Sequence, residues 1–353
     1  MYKVPTIKEI KAALERDGAR FEVVSLFAGG GGSSLGYRMA GGKVLAINEF
    51  VPEAQNTYAA NWPDTKIFKQ DIRKLTGAEI LEAIGKKPGE LDILDGSPPC
   101  SAFSMCGKQN KLWGKEKKYS DVTQKGVENL FFEFIRILED IKPKVFVAEN
   151  VPGLNRGVSI GFLNEFFSAF RAAGYKVVCK ELNAKYLGVP QDRRRLIFVG
   201  VRADLWRPEF EENTHPKPKG KIITAGAALK DVLNTEKDLA AADIKQYKIY
   251  KKLLKILPGK RDKNFYSLYK VNPRSVCPTI TALGCSCKSV AGVCHWKNRK
   301  FTIPELKRLT SVPDDYILTG SYEQQGERCG RMVPPLMMKA VAENIYEKIL
   351  RVL

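Results

Sequence analysis

Seven residues, Asp95-Gly96-Ser97-Pro98-Pro99-Cys100-Ser101, follow the apolar run Leu91-Asp92-Ile93-Leu94. The run reads as a short buried strand, and two consecutive prolines end it, because neither can donate to a backbone ladder. Cys100 is thereby placed on a loop at the carboxyl edge of a strand, where open α/β sheets bind their ligands. A thiol held there can serve as a nucleophile; taken alone it could equally fill a core, as free cysteines often do. Two more chemically able groups stand at strand ends. Glu149 closes the apolar run Val145-Phe146-Val147-Ala148, and Gln191-Asp192-Arg193-Arg194-Arg195 leads directly into Leu196-Ile197-Phe198-Val199-Gly200. A carboxyl at a strand end can be a plain salt-bridge partner and an arginine run a solvated face, but the strand that follows puts this run at a sheet edge.

The elements that position these groups are legible upstream. Val23-Val24-Ser25-Leu26-Phe27 has a strand pattern, runs into Ala28-Gly29-Gly30-Gly31-Gly32-Ser33-Ser34, and is followed by the helix-like Leu35–Ala40. Strand, glycine turn and helix let a ligand approach backbone closely at a helix N-terminus. Val44-Leu45-Ala46-Ile47-Asn48-Glu49 and Ile67-Phe68-Lys69-Gln70-Asp71-Ile72 read as the next two strands, each closing near an acid. Acids in those places suit an adenosine with a free ribose and an exocyclic amine, which S-adenosylmethionine carries. A glycine turn alone also suits a nicotinamide or nucleotide site, although this one lacks a clear Gly-x-Gly-x-x-Gly.

With these motifs in order along most of its length, the chain resembles the DNA cytosine-5 methyltransferases of bacterial or phage type. Phe27–Gly32 is similar to the first family motif, Pro98-Pro99-Cys100-Ser101-Ala102-Phe103-Ser104 to the catalytic loop, and Asn129-Leu130-Phe131-Phe132 and Glu149-Asn150-Val151 to the next two. Gln191–Arg195 is similar to Gln-x-Arg-x-Arg, and Arg308-Leu309-Thr310 through Tyr316 and Gly330–Pro335 to the last two motifs. The resemblance implies an α/β fold, a Rossmann-like S-adenosylmethionine-dependent methyltransferase with a mixed sheet, helices on both faces and a smaller target-recognition domain. It implies S-adenosyl-L-methionine as cofactor, contacted by Phe27, Ala28, Gly29, Gly31, Gly32, Glu49 (ribose), Phe50, Asp71 (adenine), Ile72, Pro99, Arg331 and Val333. It also implies double-stranded DNA as partner and a monomeric enzyme. Some relatives work beside a cognate restriction endonuclease, and the sequence leaves open whether this chain does.

The implied chemistry explains the residue types. Carbon 5 of cytosine is a poor nucleophile; addition of the Cys100 thiolate to carbon 6 turns the ring into an enamine, and carbon 5 can then take up a methyl group. A thiol needs nearby positive charge or a helix N-terminus to be ionised at neutral pH. Glu149 would stabilise ring nitrogen 3, Arg195 would hold oxygen 2 with its rigid fork, and Arg193 would brace the site. Carbon 6 is hidden in a duplex, so the base must be flipped out. The stretch from Ser101 to Gly126, with Gly107, Gly114, Gly126 and the cations Lys108, Lys111, Lys115, Lys117 and Lys118, fits a basic loop that closes on it. Ser101, Lys108 and Lys111 are its expected DNA contacts.

Composition agrees with a polyanion partner. The 353-residue chain carries a formal charge of +19, which points to nucleic acid first and to an acidic membrane surface second. From Arg207 to Lys297 there are 18 Lys or Arg against 8 Asp or Glu, over half the surplus. The expected layout is a catalytic and cofactor-binding domain at 1–205, a target-recognition region at 206–298, and a return to the catalytic domain at 299–353 with a final helix over Pro334–Leu350. Within the recognition region, Ile244–Leu257 has a helical apolar pattern bearing Lys251 and Lys252, which with Arg274 are expected on DNA. Cys277, Cys285, Cys287, Cys294 and His295 crowd together, but their spacing matches metal sites poorly, and no metal is expected. Scattered cysteines, with neither an apolar span nor an export segment, lead to the expectation of a reduced, cytoplasmic protein.

Other readings share part of these features. An RNA cytosine methyltransferase would share the cofactor fold, and a non-catalytic DNA-binding relative would be expected to lack the cysteine, the glutamate or the arginine motif, all present here. One departure stands out. Where the family usually has Gly-Asn-Ser-Val or Gly-Asn-Ala-Val, this chain has Gly330-Arg331-Met332-Val333. Arg331 could turn outward to a DNA phosphate or to Glu327, clamp the cofactor's own carboxylate, or favour a cofactor whose methyl carries a carboxylate, giving carboxymethyl transfer.

Overall fold

A computed structural model describes residues 2–99, 117–119, 122–124, 129–155, 159–218, 220–286 and 292–353, with backbone only at 117–119, 122–124 and 283. Cys100, Ser101, Lys108, Lys111 and Cys287 therefore lie outside the described residues, as does most of the basic stretch after Pro99.

Among the described residues seven strands form one sheet: β1 (Phe21–Leu26), β2 (Gly42–Asn48), β3 (Lys66–Phe68), β4 (Ile93–Gly96), β5 (Val145–Asn150), β6 (Tyr175–Asn183) and β7 (Arg194–Arg202). Their spatial order is β3-β2-β1-β4-β5-β7-β6. The pairs from β3 to β5 are parallel, and β7 runs antiparallel to both β5 and β6. Chain order reverses at β1, which has β2 on one side and β4 on the other, so a crevice opens above their carboxyl ends.

The central strands β1, β4, β5 and most of β7 are buried on both faces, which is why they read as unbroken apolar runs, whereas the edge strands β3 and β6 are largely half-buried or exposed. Side chains alternate between two cores. Val23, Ile93, Val145, Val147 and Ile197 face one side with Leu35 and Val341. Val24, Leu94, Phe146, Ala148 and Phe198 face the other, with Phe131, Phe134, Phe166 and Phe170. On that second side Phe131 stacks on Phe166 at 3.9 Å between centroids and Phe146 on Phe170 at 4.3 Å. Gly200 is small because the Phe146 ring occupies the space a Cβ would need.

Helices α1 (Ile7–Asp17), α2 (Gly32–Met39), α3 (Pro52–Asn61), α4 (Gly77–Ile84), α5 (Leu130–Ile141) and α6 (Ile160–Ala172) accompany the strands. α1 opens with a capping box in which Thr6 and Glu9 satisfy each other's backbone N–H groups, the signature of a helix start. α2 begins at Gly32, earlier than the sequence pattern suggests, because Gly31 takes a left-handed φ of 82° and caps it. α7 (Lys248–Leu254) is the core of the longer expected helix. After α8 (Ile303–Leu309) and α9 (Tyr322–Arg331), α10 (Pro335–Lys348) packs on α2, where Gly36 admits Met338 and the Pro335 carbonyl.

Part of the described stretch within 206–298 packs into the main core and part forms a core of its own. Ala225, Ala228, Leu229, Val271, Cys277 and Ile280 belong to the same core as α2 and α10. A separate small core gathers Ile244, Ile249, Leu253, Ile256, Leu268 and Cys294. Cys277, Cys285 and Cys294 of the cysteine-rich stretch are absorbed into these cores. Cys277 pairs its backbone with Gln191, and buried His295 stacks on Trp296. Among the described residues no group of three His, Cys, Asp or Glu side chains converges as a metal site.

Candidate active site

The crevice holds a cavity of about 250 Å³, lined by the glycine turn, the ends of β2, β4 and β5, the start of β7 and the end of α9. The turn leaves β1 through Phe27 and Gly29, both at φ 55°. For a phenylalanine this is strained backbone. It is held by the Ala28 N–H bonding to the Asn48 carbonyl at 3.1 Å and the Gly31 N–H to the Ala28 carbonyl at 2.9 Å. Glu49 is buried beside it and accepts from the N–H groups of Gly29 at 2.6 Å and Val51 at 2.8 Å. Burial pushes its pKa up, while those N–H groups and the Arg328 charge pull it back.

The walls are close. A methyl group on Gly30 would collide with the Met332 side chain, and one on Gly32 with the Val333 carbonyl oxygen. Ser33 lines the cavity, and its buried hydroxyl finds no hydrogen-bond partner among the described residues. A turn that tolerates no side chain, beside an orphan hydroxyl and a carboxylate, fits a nucleoside carrying an amino-acid tail.

Of the expected cofactor contacts, Phe27, Ala28, Gly29, Gly32, Glu49, Phe50, Ile72, Pro99, Arg331 and Val333 lie on the cavity wall. Gly31 and Asp71 do not. At Gly31 the space is taken by Tyr58 and Tyr316, whose hydroxyl donates to the Gly30 carbonyl at 2.8 Å. The Asp71 carboxylate caps the turn after β3, accepting from the Arg73 N–H at 3.0 Å, and leaves Ile72 to face the cavity.

On the far wall Glu149 and Arg195 meet. They project from the same face of the antiparallel pair β5 and β7, because Glu149 opposes Ile197, two residues from Arg195. The Arg195 Nε lies 2.6 Å from Glu149 Oε1, and about a tenth of each side chain is exposed. Arg193, also on the cavity wall, is anchored differently. Its guanidinium donates to the carbonyls of Ile280 and Gly330, both at 3.1 Å, tying the recognition segment and the end of α9 to β7.

The sequence reading missed Asp95, Arg328 and Ser33 as cavity residues. Asp95 is buried at the end of β4, accepting from Ser25 Oγ at 2.6 Å and the Tyr37 hydroxyl at 3.1 Å. Burial, with the Glu149 charge nearby, outweighs those two bonds and pushes its pKa to about 7. Its signal was available: an acid closing a strand, as at Glu49. Arg328 is buried with Nη2 3.2 Å from Glu327 Oε1, and only its spacing from Arg331 along α9 could have pointed to it. Lys251 and Arg274 are exposed, and Lys252 sits with its ammonium 4.0 Å from the centre of the Phe265 ring. None of the three lines the cavity.

A doubly covered sheet of this order, with a glycine turn and an acid at its first two strand ends and a reactive edge beyond, defines a Rossmann-like methyltransferase of the S-adenosylmethionine-dependent class. The chain belongs to the C-5 cytosine-specific DNA methylases, whose family model matches residues 21–347. It is 32% identical over 345 residues to the type II methyltransferase M1.HphI of Haemophilus parahaemolyticus, covering 92% of this chain and 86% of that one. It is 27% identical to M.SacI of Streptomyces achromogenes, covering 93% of each. Among solved structures, the fold matches the Dnmt2 methyltransferase of S. pombe with a TM-score of 0.65 at 16% identity, covering 94% of this chain and 99% of that one. The DNMT2 of Spodoptera frugiperda matches with a TM-score of 0.67 at 18% identity, over 92% and 99%. The chain is accordingly a DNA cytosine-5 methyltransferase. No helix among the described residues is long and apolar enough to cross a membrane.

Proposed function

We propose that the cavity binds S-adenosylmethionine on the glycine-turn side and a flipped cytosine on the Glu149–Arg195 side, with Cys100 as the nucleophile. The observation that carries this is the 2.6 Å contact between Glu149 and Arg195 on the wall of the cavity that also contains the glycine turn. Ring nitrogen 3 and oxygen 2 of cytosine are neighbours across one ring carbon, so one carboxyl and one guanidinium in contact match them as a pair.

Glu49 would receive the ribose hydroxyls, Ile72 the adenine, with Asp71 holding the turn that presents Ile72, Ser33 the carboxylate of the amino-acid tail, and Phe27, Phe50 and Val333 would close the apolar sides. When bound, the cofactor supplies an electrophilic methyl group. The remaining work falls to the chain. Cys100, one residue beyond Pro99, adds to carbon 6 and is later expelled. Glu149 hydrogen-bonds nitrogen 3 as charge develops there, Arg195 holds oxygen 2, and Arg193 keeps β7 in register with the elements above it. Residues 1–205 and 299–353 act as the catalytic body and 206–298 as the recognition region. Ser101, Lys108, Lys111, Lys251, Lys252 and Arg274 meet double-stranded DNA. The enzyme works as a cytoplasmic monomer, and the type II relatives suggest a cognate endonuclease partner.

Incubation with S-adenosylmethionine and duplex DNA containing 5-fluorocytosine should trap a covalent protein–DNA adduct, and Cys100→Ser should give none while still binding DNA. Label from the cofactor's methyl group should appear in DNA and not in RNA. An adduct in the Ser variant would remove Cys100 from the mechanism, and label in RNA alone would redirect the substrate assignment.

A further inference from the structure

The end of α9 places two guanidiniums on the cavity wall around one carboxylate. Arg331 Nε lies 2.6 Å from Glu327 Oε1, and Arg328 Nη2 lies 3.2 Å from the same oxygen. Arg328 is buried and also faces Glu49, whereas the Arg331 side chain is 30% exposed and borders the open space. Met332 and Val333, the next two residues, are those pressed against Gly30 and Gly32. Arg331 therefore stands where the backbone comes closest to the turn assigned to the amino-acid end of the cofactor. A guanidinium beside the cofactor's sulfonium would be repulsive in a half-buried setting. A carboxylate carried on the transferred carbon would reverse the sign and offer a charge-assisted pair.

Building on the cavity assignment above, we propose that Arg331 reads a carboxylate on the group to be transferred, so that the enzyme places carboxymethyl as well as methyl groups on cytosine. The cofactor would be an S-adenosylmethionine analogue whose methyl bears a carboxylate. Carbon 5, made nucleophilic by Cys100 addition at carbon 6, forms a bond to the methylene carbon. The carbon–sulfur bond breaks, and S-adenosylhomocysteine leaves with the electron pair. The carbon 5 proton then passes to water as the Cys100 thiolate is expelled. Glu327 stays with Arg328 when Arg331 turns to the incoming carboxylate.

Calorimetric titration of the full chain with S-adenosylmethionine, the carboxylated analogue and S-adenosylhomocysteine tests this, alongside mass spectrometry of nucleosides from treated DNA. The parent should bind the analogue about tenfold or more tightly than S-adenosylmethionine, a difference within reach of one charge-assisted pair. Arg331→Asn should lose that preference while binding S-adenosylhomocysteine about as well as the parent, and Arg331→Lys should keep part of it. Carboxymethylcytosine should form with the parent and fall away in Arg331→Asn. An analogue-to-cofactor ratio unmoved by Arg331→Asn would overturn the proposal. Weakening of all three ligands alike would do so too, making Arg331 a clamp for the cofactor's own carboxylate. Failure of the parent to bind any of the three would instead strike at the cavity assignment beneath it.

Discussion

Asp95 shows how one residue type changes meaning with position. Asp92 stands just before the same strand, partly exposed and ion-paired to Lys144 at 2.8 Å. Asp95 is enclosed, receives bonds from the neutral hydroxyls of Ser25 and Tyr37, and titrates at about 7 instead of the ordinary 3.8. In the unfolded chain the group loses its proton near pH 4, while in the fold it keeps it to about pH 7. Between those values the unfolded state binds fewer protons, so stability falls as pH rises through that window and levels off above it. Asp95→Asn cannot ionise and should not show that loss. Its stability relative to the parent should therefore rise from pH 4 to pH 7, by up to about 4 kcal/mol. Denaturant titrations of both proteins at several pH values check this, and parallel pH curves would mean that Asp95 is already ionised in the fold. A carboxyl that changes charge near neutrality beside Glu149 also gives the cavity a pH-dependent charge of its own.

At the scale of elements, the central strands were readable because burial on both faces leaves apolar runs such as Val145–Ala148, and the acids and prolines that end them mark the edge where the cavity lies. Glu49, Glu149 and Arg195 were legible for that reason: each is tied to the end of a strand. What was not legible depends on contacts between distant segments. Nothing near Arg193 in sequence announces that its guanidinium will bond the carbonyls of Ile280 and Gly330, and nothing in Ala225–Leu229 says that its apolar side joins the core of α2 rather than that of α7. The glycine turn lies between these cases. Its place between strand and helix was visible, but the reason for each glycine was not, because the neighbours that exclude a side chain come largely from residues 316–333. Gly32→Ala should push Val333 and Met332 off the turn, lowering the melting temperature and weakening S-adenosylhomocysteine binding by at least about tenfold, or 1.4 kcal/mol. Gly161→Ala makes the contrast: it lies in α6 with nothing within 4 Å of the added methyl, and should stabilise by about 0.5–1 kcal/mol through the helix backbone alone, with binding unchanged. Equal affinity in Gly32→Ala and the parent would show that the turn does not hold the cofactor.

For the whole molecule the governing quantity is the +19 charge and its uneven placement. The acids that matter chemically are gathered in the cavity, while the basic surplus is concentrated in 207–297. There α7 buries Ile249 and Leu253 in its own small core and presents Lys251 to solvent, with Lys255 exposed just beyond its end. In the function proposed above, that division would let a polyanion approach without competing for the site: the outer cations would attract phosphates, and the cavity would admit one base. Lys252 is a poor probe of this surface, since its ammonium lies over the Phe265 ring and its removal would disturb packing as well as charge. Lys251, Lys255 and Arg274 are exposed and serve better. Replacing all three with alanine should weaken binding about equally for every duplex sequence, because phosphate pairing carries no sequence information. It should also reduce the slope of log affinity against log salt by about one for each phosphate that is no longer neutralised. Fluorescence anisotropy between low and physiological salt measures both quantities. A slope identical to that of the parent would show that this face does not lie on DNA, and the charge surplus would then have to act through another part of the surface.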